Sequence, residues 1–303
     1  MGLDGIINVL KPPGMTSSDV VVYLRKLLNV KKVGHTGTLD PGAAGVLVLC
    51  LGRATKISSY IMADNKVYKG GLSLGIETDT LDADGRIINK TMLLPDYTDI
   101  EKAFAAYQGK MLQHPPMYSA RKYKGKRLYE LARRGERADV PPREIEIFEN
   151  RILDFSSPDK VSFLVSCTKG TYIRSLAKDI GDSLGCGAHL AFLIRIANGP
   201  FTIEGSYTLQ EIGKAFSEGK IDDIIIPMDK ALLKFRSVEL EDRALKAVVN
   251  GNAVEATLIK SKEVGVVKGE LLKVYCKGKF LGLGYIDDNN RVRMRKVLVG
   301  STI

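Results

Sequence analysis

The first sixty residues carry apolar positions in a pattern that predicts a short strand followed by a helix. The stretch GIINVLK is largely apolar and ends at a Pro-Pro-Gly turn. Beyond the turn, apolar residues recur at helical spacing, and serines lie where a side chain can cap the first helical turn. The sequence therefore predicts a helix that is capped by Ser17 or Ser18 and has an apolar stripe of Val20, Val21, Leu24, Leu27 and Leu28.

Later apolar runs predict further strands and helices of the same unit. GVLVLCLG is typical of a buried strand, KVYKGGLSLG predicts another, and the turn at Asp82-Ala-Asp84-Gly85 predicts a hairpin. The stretch DYTDIEKAFAAYQGKM predicts a helix with a polar cap and an acidic first turn. A further helix is predicted from Ile173 to Leu184, with a core stripe of Ile173, Leu176, Ala177, Ile180 and Leu184.

The pattern changes near residues 227–235, where IPMDKALLKF indicates a joint between domains. Beyond it, alternating apolar and polar positions with glycine turns predict a small, β-barrel-like module of about seventy residues.

Charge is concentrated in two segments of the chain. The formal net charge is +10, of which Lys110–Arg143 carries +7 and the segment from Phe235 to the end carries +5. The first segment contains HPPMYSARKYKGKRLYELARRGERADVPPREIEI, in which tyrosines alternate with basic residues between two Pro-Pro pairs. This composition suits looped or single-stranded RNA, whose phosphates take the cations and whose bases stack on aromatic rings. A surface helix whose Leu128 and Leu131 pack on the domain explains the same stretch, and both interpretations hold together.

Several classes of function lack their sequence signals. No apolar run reaches the ~18 residues of a membrane span, and the N-terminus lacks a signal peptide, so we expect a cytoplasmic protein. The four cysteines and three histidines form no metal-ligand motif, and no nucleotide-binding fingerprint or nucleophile elbow is present. Asp79, Asp82 and Asp84 fit a hairpin turn better than a glycosidase pair or a calcium loop.

The stretch VGHTGTLDPGAAGVLVL holds the most unusual chemistry of the chain. Four glycines surround His35 and Asp40 there, and glycine lets a ligand approach the backbone closely. An Asp before Pro is ordinarily a turn residue. Arg174, however, lies at the N-terminal end of the helix predicted from Ile173 to Leu184, where the helix dipole disfavours a cation by roughly 0.3–1 kcal/mol. A carboxylate partner would offset that cost, and Asp40 is the natural candidate.

Five blocks of the chain occur in the same order as in one family of RNA-modifying enzymes. They are NVLKPPGMTSSDVV, GHTGTLDPGAAGVLVLCLGRATK, VYKGGLSLGIETDTLDADG, PPMYSARKYKGKRLYELARRG and TKGTYIRSLAKDIGDSLGCGAHL. Through these blocks, residues 1–230 resemble the bacterial tRNA pseudouridine-55 synthases, and the tail resembles a PUA-type RNA-binding module. The resemblance implies an α+β fold with a mixed, mainly antiparallel sheet and flanking helices in a catalytic domain, residues 1–233. A basic RNA-clasping insertion at about 110–143 and a small β-rich PUA-like domain, residues 234–303, complete the expected organisation.

The resemblance also assigns roles to individual residues. Asp40 matches the catalytic aspartate, Tyr68 the tyrosine that stacks on the flipped base and handles a proton at C5, and Arg174 the arginine paired with the aspartate. We expect the guanidinium to keep Asp40 ionised, because an adjacent positive charge lowers the pKa of a carboxylate. On the substrate side, the resemblance points to His35 (which pushes into the RNA loop), Leu193 (which lines the base pocket), Lys11 and Pro12 (which support the tyrosine), and Tyr172.

The function implied is isomerisation of uridine to pseudouridine at position 55, in the T arm of tRNA. The chain would act as a monomer, with no cofactor, metal ion or guide RNA and no membrane association. Two alternatives stay open at the level of sequence. One is a non-catalytic RNA-binding or RNA-chaperone protein, and the other is a pseudouridine synthase that acts on rRNA or is guided by RNA.

Overall fold

The computed structural model describes residues 3–62, 65–119, 121–136 and 138–299. The strands in chain order are β1 (Gly5–Lys11), β2 (Val33–His35), β3 (Ala44–Leu51), β4 (Lys66–Leu74), β5 (Ile76–Thr78), β6 (Ile87–Lys90), β7 (Gly109–Gln113), β8 (Lys122–Tyr123), β9 (Lys126–Arg127), β10 (Arg143–Ser157), β11 (Lys160–Cys167), β12 (Ala188–Asn198), β13 (Phe201–Thr202), β14 (Ser237–Leu240), β15 (Val254–Glu255), β16 (Ile259–Lys262), β17 (Leu272–Cys276), β18 (Lys279–Ile286) and β19 (Arg291–Val297). The α-helices are α1 (Ser17–Leu27), α2 (Ser58–Met62), α3 (Tyr97–Ala106), α4 (Leu128–Ala132), α5 (Ile173–Ser183), α6 (Leu209–Ser217) and α7 (Leu245–Val249). Short 3-10 helices span Gly52–Ile57, Ile221–Asp223, Asp242–Ala244 and Ala256–Leu258.

The larger sheet has the strand order β1-β3-β12-β4-β11-β10-β7, with β2 added on β3 and β13 on β12. Its pairs are antiparallel except for β3 and β12, which run parallel. One row of register partners crosses four strands at the centre of this sheet, namely Lys11, Gly45, Arg195 and Tyr68. The mixed, mainly antiparallel sheet expected from the sequence is therefore confirmed.

The strands β1 and β3 are buried on both faces, which explains their nearly continuous apolar sequence. One face, with Ile7 and Leu47, packs in a core that includes residues of α1, α3, α5 and α6. The other face, with Ile6 and Val46, packs with residues of the Gly52–Ile57 helix and α2. That second core also contains Leu283 and Leu298 from the C-terminal part of the chain.

The helix α1 is capped one or two residues earlier than the sequence indicated. Thr16 is its N-cap, and it exchanges two hydrogen bonds with Asp19 in a capping box. Ser17 is unsuited to cap the helix, because its buried hydroxyl bonds both the carbonyl and the amide of Leu39. The predicted helix from Ile173 to Leu184 is confirmed as α5, which ends at Ser183 with Leu184 as its C-cap.

The basic insertion holds a small core of its own. Leu128 and Leu131 of α4 are buried there with Val140, which lies nearer the second Pro-Pro pair. These leucines are buried, but their core lies within the insertion, so the packing on the domain that the sequence indicated is wrong. The predicted hairpin around Asp82 is also present, as the antiparallel pair β5 and β6.

Residues 237–297 form a second sheet with the strand order β15-β19-β18-β17-β14-β16. It encloses a separate apolar core with Val238, Leu240, Val274 and Leu281. In the part of the chain that the structure describes, no helix is both long and apolar enough to cross a membrane.

Strands β3 and β12 approach each other closely at Gly45, and replacing this glycine tests that contact. Its φ is +106°, and a Cβ built there would lie 2.2 Å from the carbonyl oxygen of Arg195. We expect Gly45→Ala to lower the free energy of unfolding by roughly 2–4 kcal/mol, since a left-handed backbone cost adds to a steric overlap. Gly219→Ala is the control, because Gly219 also has a positive φ but faces open space. It should cost about 1–2 kcal/mol in the same urea denaturation, and equal losses in the two variants would contradict the steric argument.

Candidate active site

Asp40 lies in the loop between β2 and β3, and its backbone is anchored on both sides. Before it, Ser17 holds Leu39 through the hydroxyl contacts described above. After it, the fully buried Lys11 donates a hydrogen bond of 3.1 Å from Nζ to the Pro41 carbonyl. The amide of Ala43 then donates to the Asp40 carbonyl at 3.1 Å. The glycine-rich loop that carries Asp40 is therefore tied to α1 and β1.

Lys11 and Pro12 were expected to support the tyrosine of the pocket, and the contacts that the structure shows for Lys11 are with backbone carbonyls of the turn after β1 and of the Asp40 loop. Lys11 Nζ donates to the carbonyls of Pro12, Met15 and Pro41. Strands β3 and β12 lie between its strand and that of Tyr68. Burial lowers the pKa of Lys11 to about 8, and the charge of Asp40 opposes that shift. Lys11 thus holds the Asp40 loop, because a buried amine needs the three carbonyls that converge there.

Arg174 binds Asp40 directly, as the sequence predicted. Its Nε lies 2.9 Å from Asp40 Oδ2, and its Nη1 lies 3.3 Å from Asp82 Oδ2. The same guanidinium donates to the carbonyls of Thr80, at 3.1 Å, and Tyr118, at 2.8 Å. Only 7% of the arginine side chain is exposed, against 42% for Asp40. The ion pair therefore has a buried cation and a carboxylate that remains accessible.

The pKa of Asp40 is shifted in the direction opposite to the one expected from the ion pair alone. Asp40 reaches the cavity, but the protein around it removes much of its hydration, and this desolvation raises the pKa of the carboxyl above its ordinary value despite the lowering by Arg174. Asp82 raises it further, since a second carboxylate shares the same guanidinium. Arg174 does lower the pKa of Asp40, as expected from the ion pair, and the loss of hydration around the carboxyl offsets that effect.

Tyr68 and Leu193 form an apolar wall next to this pair. Tyr68 lies in β4 opposite Arg195 of β12, and Leu193 precedes that arginine by two residues. Both side chains are more than nine-tenths buried. Burial raises the pKa of the Tyr68 phenol, and the positive charge of Arg195 opposes the shift. The tyrosine is consequently a neutral phenol at physiological pH.

Three cavities meet at Asp40 and Arg174, which line all of them. One of about 470 Å³ contains Tyr68, Leu193 and Tyr172, which places it in the size range of small-molecule sites. A second, of about 730 Å³, opens between His35 and the insertion. The third, of about 100 Å³, lies between Leu193 and the hairpin of Asp82. The predicted catalytic residues are thus brought together at one opening.

His35 and Tyr172 line two different cavities of this group, His35 the one of about 730 Å³ and Tyr172 the one of about 470 Å³. The His35 ring Nδ1 accepts a hydrogen bond from the amide of Gly37 at 3.4 Å, and burial lowers the pKa of His35, so the ring is neutral. Tyr172 precedes α5, and its backbone makes two hydrogen bonds with the buried side chain of Gln113. This pair of bonds orients the start of α5 and hence Arg174.

Two residues of the site were missed as functional from the sequence. Asp82 was assigned only to the hairpin turn, yet its Oδ1 serves that turn while its Oδ2 binds Arg174. Arg195 is 1% exposed and donates to the carbonyls of Val46, Gly37 and Thr38. A signal existed for Arg195, since an arginine in the apolar run HLAFLIRIAN must find buried acceptors. The sequence held no comparable signal for Asp82, because turn chemistry alone explains an aspartate there.

Comparison with known sequence families matches the chain almost from end to end. A family described as TruB family pseudouridylate synthase (N terminal domain) matches residues 25–173. Residues 174–233 match a tRNA pseudouridylate synthase B C-terminal domain, and residues 237–298 match a domain described as pseudouridine synthase II TruB, C-terminal.

Curated relatives match over nearly the full length. The tRNA pseudouridine synthase B of Caldanaerobacter subterraneus subsp. tengcongensis is 42% identical over 300 residues, which cover 98% of this chain and 100% of the relative. The protein of the same name from Alkaliphilus oremlandii is 44% identical over 292 residues, covering 95% of this chain and 96% of the relative.

Solved structures with the same fold include components of RNA-protein complexes. An H/ACA RNP bound to a substrate RNA containing 2'-deoxyuridine holds a chain with a TM-score of 0.76 and 26% identity, covering 98% of this chain and 86% of that one. A Cbf5-Nop10-Gar1 complex holds one with a TM-score of 0.75 and 28% identity, covering 97% and 85%.

The raised pKa of Asp40 gives a stability prediction of definite sign. An acid whose pKa is higher in the folded than in the unfolded chain destabilises the fold when it is ionised. We therefore expect Asp40→Asn to be at least as stable as the parent protein at pH 7. The advantage should vanish as the pH falls below the unfolded pKa of about 3.9. Urea denaturation at several pH values measures this, and a less stable variant at pH 7 would mean that the ion pair outweighs burial.

Proposed function

The chain belongs to the TruB family of pseudouridylate synthases, and from this premise we propose that it converts uridine to pseudouridine in the T arm of tRNA, at position 55. The observation that carries the proposal is the accessible Asp40 carboxylate, held by the buried Arg174 beside the wall of Tyr68 and Leu193. The two curated relatives described above, both tRNA pseudouridine synthases B, support tRNA as the substrate.

The reaction is an isomerisation, so its atoms balance without a second substrate. The C1′–N1 bond of the uridine breaks, the uracil turns, and C1′ joins C5. The hydrogen on C5 leaves to a base, and N1 gains a proton. Asp40 is the proposed catalytic aspartate, and it faces the cavity in which the uridine would lie. The direction in which its pKa is shifted favours a reactive carboxylate over a passive one, since burial raises its basicity.

The target base must leave the stacked RNA loop before Asp40 can reach it. Such flipping costs a few kcal/mol of stacking and pairing. In our proposal, Tyr68 stacks on the extruded uracil and returns ~1–3 kcal/mol, and Leu193 lines the other side. His35, at the mouth of the larger cavity, enters the RNA loop as a neutral ring. Tyr172 contacts the nucleotide from the start of α5.

The Tyr68 hydroxyl is proposed to take part in moving the C5 proton. A phenol can take up the C5 proton only as its own O–H proton passes to another acceptor, and the positive charge of Arg195 beside it stabilises the phenolate character that this exchange requires. Arg195 also holds the carbonyls of Gly37 and Thr38, which precede Asp40 in the loop. The two reactive side chains are therefore kept at a set separation.

We propose that the protein acts on tRNA by itself, as a cytoplasmic monomer without a guide RNA. The basic insertion at about 110–143 supplies the clasp over the RNA, with Lys122, Tyr129 and Arg133 lining the larger cavity next to Asp40. The second charged segment, in the proposed RNA-binding domain of residues 234–303, lengthens the contact with the phosphate backbone.

Deleting residues 234–303 is a poor test of that second domain. Leu283 and Leu298 belong to the core that covers β1 and β3, so the deletion exposes apolar surface of the catalytic part.

Exposed charges of the second domain are better targets. Arg295 and Lys296 of β19 are exposed, and their joint replacement by Gln should weaken tRNA binding and reduce its salt dependence while turnover at saturation persists.

Replacing Asp40 tests the catalytic assignment. We expect Asp40→Asn to reduce pseudouridine formation by at least about 10³-fold while tRNA binding survives, because the amide removes the reactive oxygen and keeps the shape. Release of tritium from C5-labelled uridine in tRNA measures turnover. Asp99→Asn, a surface change on α3, is the control. A non-catalytic RNA-binding protein would release no tritium even with Asp40 intact.

Replacing Tyr68 separates stacking from proton transfer. Tyr68→Phe keeps the ring, so affinity for tRNA should be unchanged while turnover falls by about 10²-fold if the hydroxyl handles the proton. The two quantities are measured by filter binding and single-turnover tritium release. Full activity of the Phe variant would restrict the role of Tyr68 to stacking.

A further inference from the structure

The segment that leads from β7 into the basic insertion lies against the start of α5. We call residues 113–118 of this segment the stem. Three side chains join the stem to the start of α5: Gln113 reaches from the stem, and Arg174 and Ser175 reach from the helix. Their hydrogen bonds connect the entrance of the insertion to the arginine that binds Asp40.

Gln113 is the last residue of β7, and only 2% of it is exposed. Its Nε2 donates to the Tyr172 carbonyl at 3.0 Å, and the amide of Tyr172 donates to its Oε1 at 2.8 Å. Both polar atoms of one side chain are thus used on the backbone of one residue. A buried amide costs free energy unless it is hydrogen-bonded, so this pair of bonds fixes both the distance and the orientation between β7 and Tyr172.

The start of α5 needs this support because it lacks an ordinary cap. Helices commonly begin at Ser, Thr, Asp or Asn, whose side chain accepts a hydrogen bond from the first turn. The N-cap of α5 is Tyr172, whose side chain makes no capping bond within the described part of the chain, and the first turn contains no acidic residue. The buried hydroxyl of Ser175 adds a contact, since it donates to the His114 carbonyl at 3.0 Å. The first turn of α5 is therefore located from outside, by the stem.

Arg174 is the second residue of α5, so its guanidinium moves with that first turn. The guanidinium donates to the Tyr118 carbonyl at 2.8 Å, at the far end of the stem, and its Nε lies 2.9 Å from Asp40 Oδ2. A shift of the start of α5 would therefore be felt directly at the catalytic carboxylate. A misplacement of about 1 Å, even from a change far from the chemistry, can cost about 10²-fold in rate.

We propose that Gln113 is a positioning residue of the reaction, which sets Arg174 through the start of α5 so that the guanidinium meets Asp40. Gln113 is not among the described residues that line the three cavities at Asp40. Its effect on the reaction therefore passes through the backbone of Tyr172 and the side chain of Arg174. This inference rests on the proposed function, because the reaction concerned is the one in which Asp40 is the catalytic aspartate.

Gln113→Met tests this role, because methionine keeps the length of the side chain and removes both hydrogen bonds. We expect single-turnover tritium release at saturating tRNA to fall by about tenfold or more, since the displaced guanidinium no longer holds Asp40 in place. Affinity for tRNA, measured by filter binding, should stay within about twofold of the parent protein, because the residue does not reach the cavities. Ser175→Ala removes the neighbouring bond and should give a smaller loss of the same kind. It serves alone if Gln113→Met does not fold.

A double-mutant cycle with Arg174→Lys separates positioning from a general loss of structure. Lysine keeps the charge and gives up the fixed geometry of the guanidinium. Because Gln113 acts through Arg174, adding Gln113→Met to Arg174→Lys should lower turnover by less than about twofold further. Asn150→Leu is the matched control, since Asn150 is also 2% exposed and its side-chain amide donates to the Phe104 carbonyl at the end of α3. Its effect on turnover should be small and should multiply with that of Arg174→Lys.

The carboxyl resonance of Asp40 gives a readout that needs no turnover. The charged groups that face Asp40 are Arg174, Asp82 and Lys11. A displaced Arg174 lowers the pKa of Asp40 less, so this pKa should be higher in Gln113→Met than in the parent protein and unchanged in Asn150→Leu. Carbon-13 NMR titration of the full-length proteins measures it, with Asp40→Asn to assign the resonance.

The inference is overturned if the pKa of Asp40 is the same in Gln113→Met and in the parent protein, or if the loss of turnover is undiminished in the Arg174→Lys background. Tritium release by the parent protein is measured separately. A parent protein that releases no tritium contradicts the proposed function, whereas the titration still shows whether Gln113 sets Arg174 against Asp40.

Discussion

A single buried guanidinium determines how the parts of this protein meet. Arg174 is almost wholly enclosed, and a buried cation is tolerated only where acceptors surround it. It finds Asp40 in one loop, Asp82 and Thr80 in the hairpin, and the Tyr118 carbonyl in the insertion. Three segments that are far apart in sequence are thereby fixed around the start of α5. The Asp40 loop, the hairpin and the insertion depend on the same charge.

The balance of charge at that point also explains the properties of Asp40. Two carboxylates share one cation, and burial disfavours ionisation, so the pKa of Asp40 rises although an arginine is in direct contact. Several contacts hold the backbone around Asp40 in place despite this cost of ionising a partly enclosed carboxyl. Ser17 and Lys11 hold the backbone on either side of Asp40, and Arg195 holds the carbonyls before it. An accessible carboxylate is thus kept in place by contacts to its backbone rather than to its oxygens.

Much of the architecture could be predicted from periodicity and capping chemistry. The strands around GVLVLCLG and KVYKGGLSLG, the hairpin at Asp82 and the helix α5 all lie where the pattern indicated. These elements are determined by local rules, namely apolar spacing and turn residues. The N-cap of α1 was placed one or two residues too late, because Ser17 is used to hold Leu39, a contact between residues 22 apart in sequence. The contacts of Lys11 were out of reach for the same reason, since its three carbonyl partners converge only in the fold.

The amino-acid sequence by itself determined the mixed α+β class, the two charged segments and the pairing of Asp40 with Arg174. The pairing was within reach because a cation at a helix N-terminus requires a partner, and the family resemblance supplied one. Only the tertiary structure decided the second carboxylate beside Arg174, which is Asp82, and the contacts of the buried Arg195. Those features depend on which groups are buried together. Burial sets both the pKa of a carboxylate and the cost of an unpaired donor, and no local pattern in a sequence encodes it.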